Sequence, residues 1–363
     1  LGVAIAVALT LDLAINVSFN PTRSVIADVT PEGVARTKGY TWMQTVSGTF
    51  GVLAYAIGAI WGNYTLIYLG AGLVLLFSVV PPFFIEEPRE LGSEENPQGA
   101  SAASAGEVMR SIRPLWGFLI YAVYGLTASV MEFEMDGYWV EFACLAITIG
   151  LMLEALLKSE EGLSEADAGM VGFKKVLAAH SFTWIGVQTM FIYMFAFVQY
   201  RVPGLTDLEM GRVVSISFLI LNAVGALVPV LLLEPITERI GRVKTHMLSM
   251  FIMAAAYAGI ALVGTSPMMI YVLMAVAGIG WGATVSLPFA IMSVKVDQSR
   301  MGLYMGLFNL SVVLPQLVAS LGVGAAVAAA ENKMLIFAIC AVTLLVSAVS
   351  WLLVKDEPLV AES

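Results

Sequence analysis

Charged residues are scarce in this chain of 363 residues. Asp, Glu, Lys and Arg together make up 12%, whereas 59% of the residues are hydrophobic. There are only two cysteines, Cys144 and Cys340, and two histidines, His180 and His246. Thiols and imidazoles so few and so far apart exclude a disulfide framework and argue against a metal cluster. The net charge of −9 argues against nucleic acid as a partner.

The sequence also lacks the arrangements that serve catalysis. GIGWG (278–282) contains the glycines of a nucleotide loop. It lies inside an apolar run with no preceding strand, which favours close helix packing instead. There is no nucleophile and base constellation and no phosphate loop. We therefore expect neither an enzyme nor a bound cofactor.

Apolar runs of about 20 residues dominate what remains, and such runs cross a hydrocarbon core of about 30 Å. They predict an all-α polytopic membrane protein with about 11 transmembrane helices. The predicted spans are 1–20, 39–61, 64–85, 114–132, 138–157, 177–199, 210–233, 246–264, 267–290, 301–326 and 334–354.

The basic residues predict the orientation of these spans. Of the 18 lysines and arginines, all but Arg201, Arg212 and Lys333 fall on one side of the predicted membrane. Because basic residues favour the cytoplasmic side, we expect the N-terminus of this chain outside and its C-terminus in the cytoplasm. A multi-pass protein of the plasma membrane follows from this pattern.

The first span carries the most expensive polar groups of the chain: Asp12, Asn16, Asn20 and Arg23. At about 100° per residue they lie within about 80° of one another and form one stripe. A charge near the bilayer centre costs at least about 2.5 to 3.5 kcal/mol, so the stripe indicates function. The alternative is that Asp12 pairs with a base elsewhere while Arg23 snorkels to the cytoplasmic headgroups.

An internal repeat relates the two ends of the chain. Pro21, Arg36, Tyr40, two spans and an acidic pair before Pro88 recur as Pro288, Arg300, Tyr304, two spans and an acidic pair before Pro358. Both units cross in the same sense, as in the parallel halves of the major facilitator architecture. On that interpretation three helices are missing before residue 1, and a helical hairpin is inserted between the halves.

The resulting domain prediction divides the chain at its polar stretches. Within the hairpin we expect Glu141 and the acids of the preceding turn to be solvated near the outer surface. The predicted units are the second part of an N-terminal bundle (1–86), a cytoplasmic linker (87–112), the inserted transmembrane hairpin (113–158), a cytoplasmic loop (159–176), a C-terminal six-helix bundle (177–355) and a cytoplasmic tail (356–363).

Several motifs resemble one group within that architecture, the plant sucrose/proton symporters and the related glycoside-pentoside-hexuronide transporters. LDLAINVSFNPTRSVIAD (11–28) resembles their fourth helix, FTWIG (182–186) their seventh and LILNAV (219–224) their eighth. The run 281–324 resembles their tenth and eleventh helices. The chain departs from them in FVQY (197–200), which lacks their acids after the seventh helix, and in a total of 14 helices once three are restored.

The resemblance implies that the fourth, seventh and tenth helices face a central cavity. A sugar site needs hydrogen-bonding groups beside a flat apolar surface. Trp184 and Gln188 share a helix face at a spacing of four residues, and Asn222 adds an amide that serves either the substrate or helix contacts. We expect substrate to bind Asn16, Asn20, Trp184, Gln188 and Asn222, with Asp12 and Arg23 coupling it to a proton.

The loop EPITERIGRVK (234–244) resembles the superfamily's cytoplasmic signature, with Glu238 in place of the usual Asp. A tight turn at Gly241 brings basic side chains beside an acid and helix ends. We expect a cytoplasmic gate formed by Glu238, Arg239, Gly241, Arg242 and Lys244. The alternative is that these basic residues only set the topology.

The function predicted from these residues is proton-coupled symport of a sugar, a disaccharide or glycoside, by a monomer that uses alternating access. The partners are the sugar, the proton and the lipid bilayer. Two alternatives stay open. One is an exporter of amphipathic compounds, suggested by the count of 14 helices, and the other is a membrane sensor or interaction protein that does not transport.

Overall fold

The computed structural model describes residues 23–61, 63–84, 104–131 and 137–357, and within these ranges the regular structure is helical. Residues 23–29 are helical and precede the named elements. The α-helices are α1 (Val34–Trp61), α2 (Asn63–Val74), α3 (Ala105–Ser111), α4 (Trp116–Met131), α5 (Trp139–Leu157), α6 (Glu165–Arg201), α7 (Asp207–Val228), α8 (Glu234–Ile240), α9 (Arg242–Val263), α10 (Pro267–Thr284), α11 (Leu287–Ser293), α12 (Met301–Val318), α13 (Gly324–Ala329) and α14 (Leu335–Trp351).

Six described segments are long and apolar enough to cross a membrane. They are Trp139–Leu157, Glu165–Arg201, Asp207–Ile240, Arg242–Val263, Pro267–Ser293 and Gln298–Ala329. This confirms the prediction of an all-helical polytopic membrane protein. The first predicted span, 1–20, lies outside the described residues, and the described parts of the other predicted spans are largely helical.

Two stretches predicted as irregular are helical instead. The predicted loop 159–176 ends at Ser164, whose side chain accepts a hydrogen bond from Asp167 N–H and caps α6. The predicted linker 87–112 contains α3, capped in the same way by Ser104. Both helices begin with polar, acidic turns, which stabilise a helix N-terminus. A hydropathy pattern places the start of a helix where the apolar run starts, so it did not predict these polar first turns.

Helix α6 is the centre of the C-terminal bundle. Its 37 residues extend about 55 Å, well beyond a 30 Å hydrocarbon core. α14 packs between α6 and α9, and α10 packs between α7 and α9. Gly186 permits the approach of α14, since a Cβ there would lie 3.0 Å from the Cys340 carbonyl oxygen. Ser347 Oγ adds a hydrogen bond of 2.8 Å to the carbonyl of Ala179.

The two ends of the chain meet where α1 packs on α7. A Cβ added to Gly48 would lie 2.8 Å from the Cβ of Ala226. Small residues at such contacts let helix backbones approach closely in membranes, where packing rather than the hydrophobic effect holds helices together. This contact joins the N-terminal part of the chain to the C-terminal bundle.

The hairpin of α4 and α5 packs against α6 and α12. Its two helices touch at Gly117, where a Cβ would overlap the Thr148 hydroxyl. At one end Arg113 and Glu154 form an ion pair of 2.8 Å. The adjoining part of α12 widens into a π-helical turn, Ala319–Val323, before α13. Such turns are rare and often occur at functional sites.

Candidate functional site

A stripe on α6 forms one wall of the candidate site. His180, Trp184, Gln188 and Phe191 lie within about 80° of one another around the helix. Trp184 Nε1 donates a 2.8 Å hydrogen bond to His180 Nε2. An indole nitrogen only donates, so Nε2 accepts and, in a neutral imidazole, the proton lies on Nδ1. His180 is fully buried, and its Nδ1 has no hydrogen-bond partner among the described residues.

A second wall comes from α7 and α10. The ring of Trp281 lies edge-on to Trp184, with 6.0 Å between centroids, and to Phe191 at 5.4 Å. Trp281 Nε1 donates to Asn222 Oδ1 at 3.3 Å. Asn222 Nδ2 in turn donates to the carbonyl of Phe218 at 2.8 Å. Asn222 and Trp184, predicted separately from the sequence, are therefore connected through Trp281.

A third wall is α12, which faces Gln188. Gln316 Nε2 donates to Gln188 Oε1 at 3.2 Å. One turn further along α6, Tyr193 OH donates to the carbonyls of Ala319 and Ser320 at 3.2 Å each. These two carbonyls belong to the π-helical turn of α12, so the tyrosine holds that turn against α6.

These residues form what we call the central cluster: His180, Trp184, Gln188, Phe191, Asn222, Trp281 and Gln316. All except His180 are half-buried, so their rings and amides retain accessible surface. Each amide also has unused hydrogen-bonding capacity, because a primary amide offers two donors and two acceptor lone pairs. The cluster thus combines flat aromatic surface with available donors and acceptors.

Arg23 is the member of the predicted polar stripe that the structure describes. Its guanidinium carbon lies 4.4 Å from the ring centroid of Phe289 on α11, a cation–π distance. Tyr40 stacks on the same ring at 5.9 Å and donates a hydrogen bond of 3.1 Å to the Arg23 carbonyl. Asp12, Asn16 and Asn20 lie outside the described residues.

Aromatic contacts continue from Arg23 to the central cluster. Phe289 lies edge-on to Phe308, with 5.2 Å between centroids, and Phe308 stacks on His180 at 4.9 Å. His180 then bonds Trp184. Arg23 is therefore connected to Trp184, the predicted sugar-binding tryptophan. The connection runs through the side chains of Phe289, Phe308 and His180.

The predicted gate lies at what we call the basic end, the end of the bundle that carries Arg242, Lys295 and Arg300. Gly241 has φ +91° between α8 and α9, and a Cβ there would overlap the Asp356 carboxylate. Asp356 Oδ2 accepts a 3.1 Å hydrogen bond from Val243 N–H at the start of α9. Burial raises the pKa of the Asp356 carboxyl, and the hydrogen bond from Val243 opposes that rise.

Other predicted gate residues divide into two groups. Arg242 is 1% exposed and directs Nη1 to the Ala290 carbonyl at 3.4 Å. Glu238 pairs with Lys38 of α1 at 3.6 Å, and Glu234 pairs with the same lysine at 3.5 Å. Arg239 and Lys244 are exposed, as is Glu238.

Further polar contacts close the basic end between the two parts of the chain. Gln298 Nε2 donates to the Ala27 carbonyl at 2.8 Å and to Asp28 Oδ1 at 3.3 Å. Lys295 pairs with Glu357 at 3.2 Å. The bonds of Gln298 and the pairs of Lys38 hold residues 27–38 against the C-terminal bundle, whereas the Lys295–Glu357 pair fixes the C-terminal end of the chain to that bundle.

Sequence reasoning missed His180, Trp281 and Asp356 and left Gln316, an amide like Asn222, open between the substrate and helix contacts. Spacing held a signal for two of them, since His180 precedes Trp184 by one helical turn and Asp356 occupies the place in the repeat that Glu86 occupies in the first half. Trp281 and Gln316 come from distant helices. Within the described part of the chain, no group of three His, Cys, Asp or Glu side chains is placed to hold a metal.

Comparisons with known proteins follow this geometry. The sequence profile described as Major Facilitator Superfamily matches residues 3–320. A comparison with curated proteins found no match. Similar solved structures include the E. coli fucose:proton symporter FucP (13% identity, covering 93% of this chain and 88% of that one, TM-score 0.43). They also include an autoinhibited POT family peptide transporter (15%, 89% and 70%, TM-score 0.48) and a bacterial homologue of the iron transporter ferroportin, outward-facing (13%, 96% and 90%, TM-score 0.44).

Proposed function

The chain belongs to the major facilitator superfamily, whose members are secondary transporters rather than enzymes, and on that premise we propose that it is a proton-coupled sugar symporter. The substrate class is a disaccharide or glycoside. The observation that carries this proposal is the central cluster, in which half-buried indole rings lie beside amides with unused hydrogen-bonding capacity. Sugars present both C–H faces and hydroxyl groups, and this combination suits them.

We assign substrate binding to Trp184, Gln188 and Asn222, with Asn16 and Asn20 contributing from the first helix. Trp184 offers a ring face and Gln188 and Asn222 offer amides. Because His180 already accepts the Trp184 indole N–H, the ring is held in one orientation before substrate arrives. Fixing a binding group in advance reduces the entropy lost on binding.

We assign proton coupling to Asp12 and Arg23. A carboxyl in an apolar wall favours its protonated form, and a nearby guanidinium favours the charged form. Protonation of Asp12 would then respond to whichever state of the transporter brings Arg23 close. The contact of Arg23 with Phe289 ties its position to the C-terminal bundle, which moves relative to the first half during alternating access.

Asp12→Asn tests the coupling role in the full-length protein reconstituted into vesicles. The variant should lose accumulation of labelled sugar on an inward proton gradient but retain exchange of labelled for unlabelled sugar. Accumulation equal to that of the wild type would refute the assignment of Asp12. In parallel, Arg23→Lys should weaken sugar binding, and unchanged affinity would reduce Arg23 to an anchor.

Trp184→Phe tests the substrate site. Losing the indole N–H and part of the ring face should raise the apparent KM for sugar about tenfold or more. Trp116→Phe is the matched control, because Trp116 lies in the hairpin and bonds the Met109 carbonyl instead. Equal effects of the two substitutions would contradict a site at Trp184.

The gate is part of the same proposal. We infer that Glu238, Arg239, Gly241, Arg242 and Lys244 control opening at the basic end, and that this end faces the cytoplasm of a plasma-membrane monomer. The closed contacts of Lys38 and Gln298 at this end support that inference. We further propose that three helices precede this chain in the complete transporter and that the hairpin is an insertion.

A second candidate is an exporter of amphipathic compounds. The observation that favours it is the described hairpin of α4 and α5, which would bring the restored transporter to 14 helices. Inside-out vesicles distinguish the candidates: an exporter accumulates a fluorescent amphipathic dye on a proton gradient, and a sugar symporter does not. A sensor that transports nothing would show neither activity, and the accessible surface of the central cluster argues against it.

A further inference from the structure

A separate cavity lies between the hairpin and α12, behind the wall of the central cluster. Its volume is about 530 Å³. The hairpin contributes Phe118, Tyr121, Glu141 and Cys144, and the opposite wall is the segment 318–329. Pockets for small molecules commonly measure about 300 to 1,000 Å³, so the cavity has the size of a binding site.

Small residues on the opposite wall create this space. The wall includes Ala325, Ala326 and Ala329 of α13, which fill little volume. At Gly322 in the π-helical turn, a Cβ would lie 3.0 Å from the Tyr121 hydroxyl. The tyrosine therefore reaches the backbone of α12, and the cavity remains open beside it.

Glu141 is the charged group in the cavity, and it lies in the first turn of α5, inside the predicted span 138–157. It is 13 residues from Glu154 along α5, a rise of about 20 Å. Glu154 pairs with Arg113 near the end of the hairpin that carries the polar loop. The predicted span begins at residue 138, so Glu141 lies about 5 Å inside the opposite surface. Its Oε2 is nevertheless buried, which departs from the expectation of a fully solvated turn residue.

The carboxylate of Glu141 is not compensated by the described residues. Its Oε2 is buried and has no hydrogen-bond partner in the described part of the chain. The described residues that line the cavity include no lysine or arginine. Ionisable groups inside the membrane are expensive and generally pair with a partner or serve a function. The rings of Tyr121 and Tyr138 lie along the same lining, and aromatic faces attract cations.

We propose that this cavity binds a lipophilic monocation, a protonated amine with an apolar body of drug-like size. The ammonium group pairs with Glu141, and the apolar body lies along Phe118, Leu145 and the alanines of α13. The site is separate from the proposed sugar site, because it uses none of the residues of the central cluster. The ligand class has two sources, a free lipophilic amine or the headgroup amine of phosphatidylethanolamine.

The test uses the full chain reconstituted in phosphatidylcholine nanodiscs and a photoreactive benzophenone alkylamine as the probe. The wild type should be labelled on α4, α5 or α13, and the matching benzophenone alcohol should label at least about thirtyfold more weakly, the ratio expected when one partner of a buried charge pair is removed. Glu141→Gln should reduce amine labelling by a similar factor. Glu154→Gln on the same helix is the matched control and should leave it unchanged.

Ala326→Phe tests the cavity itself by filling it while keeping Glu141. Reduced amine labelling in this variant, with a thermal midpoint like that of the wild type, supports the site. Equal labelling by amine and alcohol in the wild type, or full labelling of a folded Glu141→Gln variant, overturns it. Adding phosphatidylethanolamine to the nanodiscs distinguishes the sources: competition assigns the site to the lipid amine, and its absence assigns it to a free amine. Both of these results require the pairing with Glu141.

Discussion

Gly241→Ala is the substitution that should disturb the basic end most. Gly241 combines φ +91° with ψ 163°, a region that is populated almost only by glycine and costs another residue about 1 to 3 kcal/mol. The added Cβ would also overlap the Asp356 carboxylate. That carboxylate must then move away from the N–H of Val243, to which it is bonded at 3.1 Å.

The magnitude follows from these two contributions. A hydrogen bond to a charged group contributes about 1.5 to 3 kcal/mol, but Asp356 is half-buried, so screening reduces its share to about 1 kcal/mol. The total loss in the free energy of unfolding should be about 2 to 4 kcal/mol. In an Asp356→Ala background the same substitution should cost only the backbone share, about 1 to 3 kcal/mol.

The measurement is a double-mutant cycle on purified protein, with unfolding followed by tryptophan fluorescence in a denaturing detergent titration. Gly302→Ala is the control, since Gly302 lies in α12 with nothing within 4 Å of an added Cβ. It should stabilise the protein by about 0.5 to 1 kcal/mol, the usual gain in a helix interior. A Gly241→Ala variant as stable as the wild type would refute the backbone argument. An equal cost in the Asp356→Ala background would refute the overlap with the carboxylate.

Three further changes test separate parts of the molecule. Gln298→Ala removes hydrogen bonds across the basic end, so a cysteine introduced at that end should react several-fold faster with a maleimide than it does without this substitution. Both native cysteines are buried and should not contribute to the reaction. An unchanged rate would contradict the closed contact. Gly117→Ala should cost about 1 to 3 kcal/mol through overpacking, whereas Gly150→Ala meets nothing within 4 Å; equal thermal midpoints would show that the hairpin is packed differently. The hydrogen bond from Arg300 lowers the pKa of Glu107, so this contact stabilises the fold above the ordinary pKa of 4.5 and loses its contribution as pH falls through the lowered value. Glu107→Gln should remove that small acid-side change in the thermal midpoint, and a variant that keeps it would rule the contact out.

Hydropathy and helical spacing predicted much of this fold. Apolar runs located the described spans, because a bilayer requires about 20 apolar residues per helix. The spacing of Trp184 and Gln188 correctly placed both on one face of α6. Helix starts were predicted less well, since α6 begins at Glu165, directly after its capping Ser164 and twelve residues before the apolar run that marked the predicted span.

Partners from distant helices were beyond such reasoning. Gln188 meets Gln316, and Trp184 meets Trp281, at separations of about a hundred residues that no local period encodes. His180 was discounted because two histidines far apart make a poor metal site. Its role as the hydrogen-bond acceptor of Trp184 depends instead on burial and on Phe308, neither of which a single sequence displays.

The π-helical turn Ala319–Val323 connects the two proposed sites physically. On one side, its carbonyls accept hydrogen bonds from Tyr193, which lies five residues beyond Gln188 of the central cluster on α6. On the other, its Gly322 lies against Tyr121 and its Leu321 lines the hairpin cavity. Coupling between two sites requires a structural element with two arrangements, and ligand binding at either site must shift the equilibrium between them. Single π-helical turns inside α-helices are rare and occur frequently at functional sites. An amine in the cavity that displaced Leu321 would therefore act directly on the carbonyls that hold Tyr193, and through them on the wall of the sugar site.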